Sequence, residues 1–201
     1  MSDVVQTTHP VIEPESPELQ ERNTWVHARL LVSATVFLFL PFVFGYLYLA
    51  SLNTSGLWRP GDLKGPLGWG IAIMLAAVVS AGLVAWARSE LGLGRDASSR
   101  WLLLAALVAG LAAIVLQGVE YAQLGFGPAD GGYASVFVGW TGLFALIVLC
   151  TMVWLETILA SSFRNGSRAP GSSRADLDAL GFYLTFVAGL GAVTFSFLYL
   201  F

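Results

Sequence analysis

Five strongly apolar segments, each about the length of a membrane-crossing helix, dominate this sequence of 201 residues. A helix of ~20 residues crosses a hydrocarbon core of ~30 Å, whereas the strands of a membrane barrel alternate in segments of ~10 residues. Because an unpaired backbone is costly in lipid, each segment must be a helix. The sequence therefore predicts an all-α, polytopic membrane protein with a bundle of five transmembrane helices. The segments lie near residues 29–51, 67–87, 101–122, 136–161 and 180–201.

Composition agrees with this class and excludes others. The chain is 56% hydrophobic and only 11% charged, whereas soluble domains are about 25% charged. A single cysteine excludes a disulfide framework within the chain. The basic residues are scattered rather than clustered, so no nucleic-acid partner is expected.

The first 24 residues differ from the rest. They combine four glutamates with Pro10, Pro14 and Pro17, and prolines this dense prevent a helix. We therefore expect a disordered or extended tail over residues 1–24 and a single membrane domain over residues 25–201. The acidic start does not resemble a signal peptide, which begins with a basic region.

The distribution of Lys and Arg predicts the orientation. Eight of the ten basic residues fall on the side of the N-terminus, and only Arg59 and Lys64 fall on the other side. Because basic residues are enriched in cytoplasmic loops, we expect the N-terminus inside and the C-terminus outside.

Small residues recur four apart on the predicted third helix, at Ala105, Ala109 and Ala113, with Gln117 and Tyr121 continuing the stripe. Small side chains let helices approach closely in lipid. This stripe predicts a seam within the bundle or, alternatively, a seam against another subunit.

The chain offers little for a cofactor. His9 and His27 are its only histidines, and neither lies inside a predicted helix core. Haem and copper centres in helical bundles require imidazole or sulfur ligands from facing helices. We therefore expect no catalytic, cofactor-binding or metal-ligating residue in this chain.

Two carboxylates lie within the apolar segments. Glu120 is expected to be a hydrogen-bonded or interfacial structural residue, or else a contact to a helix or lipid headgroup. Glu156 is expected to reach toward the inner surface, or to pair with Arg88 or Arg164. Because the two glutamates lie near opposite faces, they do not form a proton relay, which disfavours a pump or transporter. Five further residues are candidates for structural, lipid or partner contacts: Gln117, Tyr121, Tyr133, Trp140 and Tyr183.

The run from Gln117 to Gly142 contains three motifs in order: Gln117-x-x-Glu120-Tyr121, then Asp130-Gly131-x-Tyr133-x-Ser135-x-Phe137, then Thr141-Gly142. This run resembles subunit III of the haem–copper oxidases, the family of cytochrome c oxidase. The last helix is also similar, through Tyr183, Phe186, Val187, Phe195 and Tyr199. Five helices match the shorter bacterial forms of the family.

The sequence also departs from the family pattern. Ala34 stands where the family has a glutamate in the first helix, and Phe144 and Ile147 replace its two histidines after Thr-Gly. Thr185 and Ala188 replace a histidine and an aspartate of the last helix. The chain thus resembles a divergent five-helix form, and the roles of the missing residues cannot be transferred to it.

The resemblance implies a non-catalytic subunit of an oxygen-reducing, proton-translocating oxidase in the aerobic respiratory chain. It implies a place in the bacterial plasma (inner) membrane beside subunit I and other oxidase subunits, which carry the haem and copper. It also implies bound phospholipid and a stabilising role toward the catalytic subunit. Two alternatives remain: a subunit-III-like partner of nitric oxide reductase, and a free-standing small transporter or assembly factor.

Overall fold

A computed structural model describes residues 16–53, 56–164 and 171–201. Five helices of this part are long and apolar enough to cross a membrane, which confirms the predicted all-α fold with five spans. A short 3₁₀ turn, Pro60–Asp62, precedes the second helix, and a π-helical turn, Ser196–Leu200, follows the fifth. The helices are α1 (Pro17–Ser51), α2 (Leu67–Gly92), α3 (Asp96–Gln123), α4 (Gly132–Arg164) and α5 (Gly171–Phe195).

The start of α1 differs from the sequence prediction. Residues 17–24, which were expected in an extended tail, are helical. Proline is tolerated at the first position of a helix because its missing N–H has no partner there. Ser16 caps this end, since its hydroxyl accepts a hydrogen bond from the Leu19 backbone N–H at 3.4 Å. Residues 1–15 lie outside the described residues, so an extended tail there stays a prediction.

The connection between α2 and α3 is shorter than the sequence suggested. Arg88 and Arg100 were expected in a loop but lie on helices, and only residues 93–95 connect the two. Gly94 has a φ of +75°, a conformation that glycine adopts at little cost. Hydropathy marks the apolar part of a helix rather than its end, so the polar last turn of α2 and first turn of α3 were missed.

Helix α5 occupies the centre of the bundle, where it packs against α1, α2 and α4. Helix α3 packs along α2 on one side and against α4 on the other. A hydroxyl joins the first of these pairs, because Ser80 Oγ donates to the backbone oxygen of Ala106 at 2.8 Å. The chain therefore closes into one bundle in which α1 has the least buried surface.

The seam of α3 is shifted relative to the predicted stripe. Ala106, Gly110 and Ala113 are buried, whereas Ala105 is exposed. A strict spacing of four drifts around a helix of 3.6 residues per turn, so the buried face alternates between steps of three and four. At Gly110, α3 and α4 lie so close together that a Cβ on residue 110 would overlap the sulfur of Met152 on α4.

We expect Gly110→Val to weaken the α3–α4 seam by about 1–3 kcal/mol, because its side chain would displace Met152 from a packed interior. Gly118→Val is the matched control, since a Cβ at Gly118 meets nothing within 4 Å. Both changes alter the intrinsic helix propensity of α3 in the same way. Thermal unfolding in detergent measures the difference, and equal melting temperatures would contradict the packing described here.

Candidate functional site

A buried carboxyl group lies at the centre of the most polar part of the bundle. Glu120 on α3 is completely buried, and Gln117, one turn earlier, is 3% exposed. Their spacing of three places both on one face of the helix, and Gln117 Nε2 donates to Glu120 Oε2 at 2.5 Å. Tyr199 adds a second donor, with its hydroxyl 2.8 Å from Oε1 and 3.0 Å from Oε2.

These donors compensate the cost of burying the carboxyl group. A buried polar group without a partner is costly, and a carboxylate without an opposite charge more so. No ion pair to Glu120 occurs within residues 16–53, 56–164 and 171–201. The carboxyl group is therefore held by neutral donors from two helices, which makes it a link between α3 and the end of α5.

The ring of Tyr199 reaches Glu120 because two glycines leave room for it. A Cβ at Gly70 of α2 would lie 2.6 Å from the ring, and one at Gly65 would lie 3.0 Å from it. The ring also contacts Phe137 on α4 edge-on, with 5.3 Å between centroids. Tyr199 itself belongs to the π-helical turn that follows α5.

Tyr133 connects three further segments at the same end. It is completely buried in the first turn of α4. Its hydroxyl accepts from the Gly65 N–H at 2.9 Å and donates to the Leu198 carbonyl at 2.5 Å. The loop before α2 and the turn after α5 are thus both fixed to α4. We call this part of the bundle, defined by Tyr121, Tyr133 and Tyr199, the tyrosine end.

Arg59 completes the tyrosine end from the loop between α1 and α2. Its guanidinium lies over the ring of Tyr133, 4.3 Å from the centroid. One terminal nitrogen donates to the Phe201 carbonyl at 2.9 Å and the other to the Tyr46 hydroxyl at 3.0 Å. Trp58 packs edge-on against Tyr46 at 5.1 Å. A cation and a set of aromatic rings therefore hold this loop in place.

Two further residues predicted as contact candidates, Tyr121 and Trp140, also form their hydrogen bonds within the chain. The Tyr121 hydroxyl lies 2.6 Å from Thr141 Oγ1 and 3.1 Å from the Val138 carbonyl, so it connects α3 to α4. Trp140 is completely buried, and its Nε1 donates to Thr194 Oγ1 on α5 at 2.8 Å. Trp140 thus contacts neighbouring helices of its own bundle.

A small cavity adjoins this network. It has a volume of about 20 Å³, and its lining includes the polar residues Gln117, Thr141, Thr194 and Tyr199 beside apolar residues of α2, α4 and α5. One water molecule needs a volume of about 10–15 Å³ and two to four polar partners. The cavity therefore suits a single water molecule rather than a substrate.

Tyr183 and Glu156 lie away from the tyrosine end. The Tyr183 hydroxyl is 2.9 Å from Thr35 Oγ1, a buried contact between α5 and α1. Glu156 is exposed on α4.

Of the alternatives given for Glu156, pairing with Arg88 is wrong. Arg88 Nε instead donates to Asp178 Oδ1 on α5 at 2.7 Å. Gly181 permits this, because a Cβ there would lie 2.8 Å from Arg88 Cδ. The other expected partner of Glu156, Arg164, has a side chain outside the described part of the structure.

Sequence reasoning missed several residues that build the tyrosine end. Arg59, Trp58, Thr194 and Gly65 were not expected to contribute, and Tyr199 was noted only as part of the family pattern. The bonds described above join Arg59, Gly65, Thr194 and Tyr199 to residues that are 13 to 142 positions away in the chain. Trp58 packs against Tyr46, 12 positions away. No local spacing signals such pairs. The only available signal was the unusual number of polar and aromatic residues near one end of the predicted helices.

The described residues contain no group of three or more His, Cys, Asp or Glu side chains that could hold a metal ion. Cys150 is free and lies exposed on α4. Most polar groups of the tyrosine end, in contrast, form hydrogen bonds with one another, whereas Arg59 Nε is buried without a hydrogen-bond partner among the described residues. This arrangement can hold a bundle together.

Fold and site together define a multi-pass, all-helical membrane protein with a structural polar network at one end. No family model matches the chain. It is 30% identical over 131 residues to cytochrome c oxidase subunit 3 of Artemia franciscana, covering 63% of this chain and 50% of that protein. It is 29% identical over 135 residues to cytochrome c oxidase subunit 3 of Latimeria chalumnae, covering 65% of this chain and 52% of that protein.

A third relative, cytochrome c oxidase subunit 3 of Pylaiella littoralis, is 30% identical over 105 residues, covering 51% of this chain and 39% of that protein. The chain spans about half the length of the curated relatives it matches. The chain is thus similar to cytochrome c oxidase subunit III, the family that its sequence resembles.

We expect Tyr199→Phe to destabilise the protein by about 1–3 kcal/mol, because it leaves a buried carboxyl group with one donor fewer. Tyr48→Phe is the matched control, since Tyr48 is 51% exposed and its ring stacks only on Phe44 of the same helix. Both changes remove one hydroxyl group. Thermal unfolding in detergent compares them, and a Tyr199→Phe protein as stable as the control would refute the role given to this bond.

Proposed function

We propose that the protein is a non-catalytic, subunit-III-like component of a haem–copper terminal oxidase in the aerobic respiratory chain. The observation that supports this most directly is the tyrosine end. Gln117, Glu120, Tyr121, Tyr133 and Thr141 are the residues of the family-like run, and all five take part in internal hydrogen bonds there. They support a packing role, in keeping with a subunit that stabilises a catalytic neighbour.

The oxygen chemistry belongs, on this proposal, to the partner subunits. Subunit I and other oxidase subunits would carry the haem and copper and translocate protons. Two of the positions at which family residues are missing have contacts within the bundle. Phe144 is buried against Gly191, and Thr185, which is exposed, donates to the Gly181 carbonyl of its own helix at 2.7 Å. This chain therefore contributes a frame rather than a reacting group.

The two embedded glutamates do not supply a proton path of their own. Tyr121, next to Glu120, contacts α4 at Thr141. Fifteen residues separate Thr141 from Glu156 on α4, which corresponds to about 22 Å of helix rise. The part of α4 between them has Leu146, Leu149, Cys150 and Val153 at its surface and carries no Asp, Glu, Lys or Arg. A gap of this length without a charged side chain argues against a transporter.

Lipid binding is part of the proposal. In α1, 17% of the most apolar window is buried, the smallest share of the five spans. A cavity of about 220 Å³ adjoins the end of this helix and is lined mainly by Leu49, Leu52, Leu57 and Trp58. These features would suit acyl chains along α1 and a phospholipid at its end.

Orientation follows from the same reasoning. We place the N-terminus inside the bacterial plasma membrane and the C-terminus outside, with the tyrosine end outward. Arg59 is used internally there, and Lys64 is paired with Asp62 at 3.0 Å. The orientation rests on the count of Lys and Arg, of which two of ten are expected on this side.

Purification in mild detergent tests the proposed function. Tagged full-length protein should elute with larger membrane chains in a fixed ratio and with a reduced-minus-oxidised haem spectrum. Cross-linking the membranes before solubilisation controls for loss of partners. A colourless eluate that contains only this chain, even after cross-linking, would refute the proposal. An eluate that reduces nitric oxide but not oxygen would favour the nitric oxide reductase alternative.

Thiol labelling tests the orientation. In a Cys150→Ser background, Ala129→Cys at the tyrosine end should react with a membrane-impermeant maleimide in intact cells. Ser98→Cys, on the first turn of α3, should react only after permeabilisation. Both positions are exposed, so each is the control for the other, and the reverse pattern would show the opposite orientation.

A further inference from the structure

One exposed face of α4 differs from the lipid-facing surfaces of the other helices. Helix α4 packs against α1, α3 and α5, which leaves a single outward stripe. We call it the Glu156 stripe, and its exposed residues recur every three or four positions, with two adjacent pairs. They are Leu146, Leu149, Cys150, Val153, Glu156, Thr157 and Ala160.

Contacts between α3 and α4 fix the depth of Glu156. Gly110 of α3 lies against Met152, and the Arg100 guanidinium lies 5.6 Å from the centroid of the Phe163 ring. Arg100 and its exposed neighbour Trp101 mark the headgroup level, where such side chains are enriched. Glu156 is seven residues from Phe163, hence about 10 Å deeper along the helix. Glu156 is therefore exposed on the outward face of α4, about two helical turns from the level of Arg100.

No cation of the described part of the chain neutralises this carboxyl group. The ion pairs among the described residues join Lys64 to Asp62, Arg88 to Asp178 and Arg95 to Glu90. Arg164 lies eight residues further along α4, about 12 Å in rise, whereas neighbouring side chains on a helix are three or four residues apart. No cation of the described residues is therefore paired with Glu156, and a basic side chain of a partner would offset the cost of a lone charge in hydrocarbon.

We propose that the Glu156 stripe is the docking surface for a transmembrane helix of a partner chain that presents an arginine or lysine to Glu156. The inference rests on the proposed function insofar as it takes this partner to be another oxidase subunit. Charge complementarity selects the occupant. A second copy packed symmetrically on the same stripe would place one Glu156 against another, which is unfavourable. Lipid tails offer no hydrogen bond or charge at all.

The exposed faces of α2 and α3 at this level differ from the Glu156 stripe in their chemistry. On α3, Val108 is 61% exposed and Leu111 is 42% exposed. On α2, Val78 and Val79 are also exposed. These faces are purely hydrocarbon and suit lipid, whereas the Glu156 stripe carries a carboxyl group beside the hydroxyl of Thr157.

Photo-cross-linking in native membranes tests the contact. A benzophenone amino acid at Val153, on the stripe, should form an adduct with a larger membrane chain. The same probe at Val108, which lies at a similar depth on α3, should give no protein adduct. An adduct of Val153 with a second copy of this chain, or no protein adduct from either position, would overturn the inference.

Substitution tests the charge. Glu156→Arg should lower the amount of partner recovered with the tagged chain at least tenfold, and Glu156→Gln should have a smaller effect. Val108→Arg is the matched control for a charge at this depth and should leave recovery within twofold. Equal yields of folded protein from membranes exclude failure of insertion. Unchanged recovery with Glu156→Arg would overturn the inference.

The two proposals can fail separately. If the unmodified chain purifies without haem-bearing chains, the proposed function fails, and the adduct at Val153 then decides whether a different membrane chain uses the stripe. If the unmodified chain purifies with haem-bearing chains but the stripe variants behave like their controls, only the docking surface is refuted.

Discussion

The burial of one carboxyl group is the constraint on which the tyrosine end depends. Glu120 has no access to water, and the apolar interior offers little else to bind, so each of its donors must be brought to it. Gln117 is available on the same helix, but Tyr199 is 79 residues away. The turn after α5 must therefore reach α3, and α2 must carry a glycine where the tyrosine ring passes. The buried carboxyl group of Glu120 thus fixes the relative positions of α2, α3 and α5.

The neighbouring contacts follow from that position. Once the turn after α5 lies against α3, its Leu198 carbonyl is available to Tyr133, which in turn accepts from Gly65 in the loop before α2. Arg59 then spans the same turn and the end of α1. In lipid, where the hydrophobic effect does not drive helices together, such hydrogen bonds and close contacts supply much of the association. The hydrogen-bond network thus supplies part of the helix association that the hydrophobic effect supplies in a soluble protein.

The sequence predicted those features that depend on local pattern. Hydropathy located five spans, and a spacing of three placed Gln117 beside Glu120. Helix ends were missed because polar residues such as those around Glu90 continue a helix beyond the apolar layer. The Glu156–Arg88 pairing was wrong because Asp178, on a helix far along the chain, lies closer to Arg88. Contacts such as that of Trp140 with Thr194 depend on the arrangement of helices, which no periodicity encodes.

The two embedded glutamates show how one physical cost can have two solutions. At Glu120 the cost is met inside the chain by donors that also lock the bundle. At Glu156 no described residue of the bundle forms an ion pair with the carboxyl group, which lies on an outward face of α4. A chain that had to be stable alone in lipid would gain from replacing Glu156 with an apolar residue. The presence of Glu156 is explained if a basic side chain of another subunit pairs with it. The carboxyl group would then contribute to the choice of partner rather than to folding.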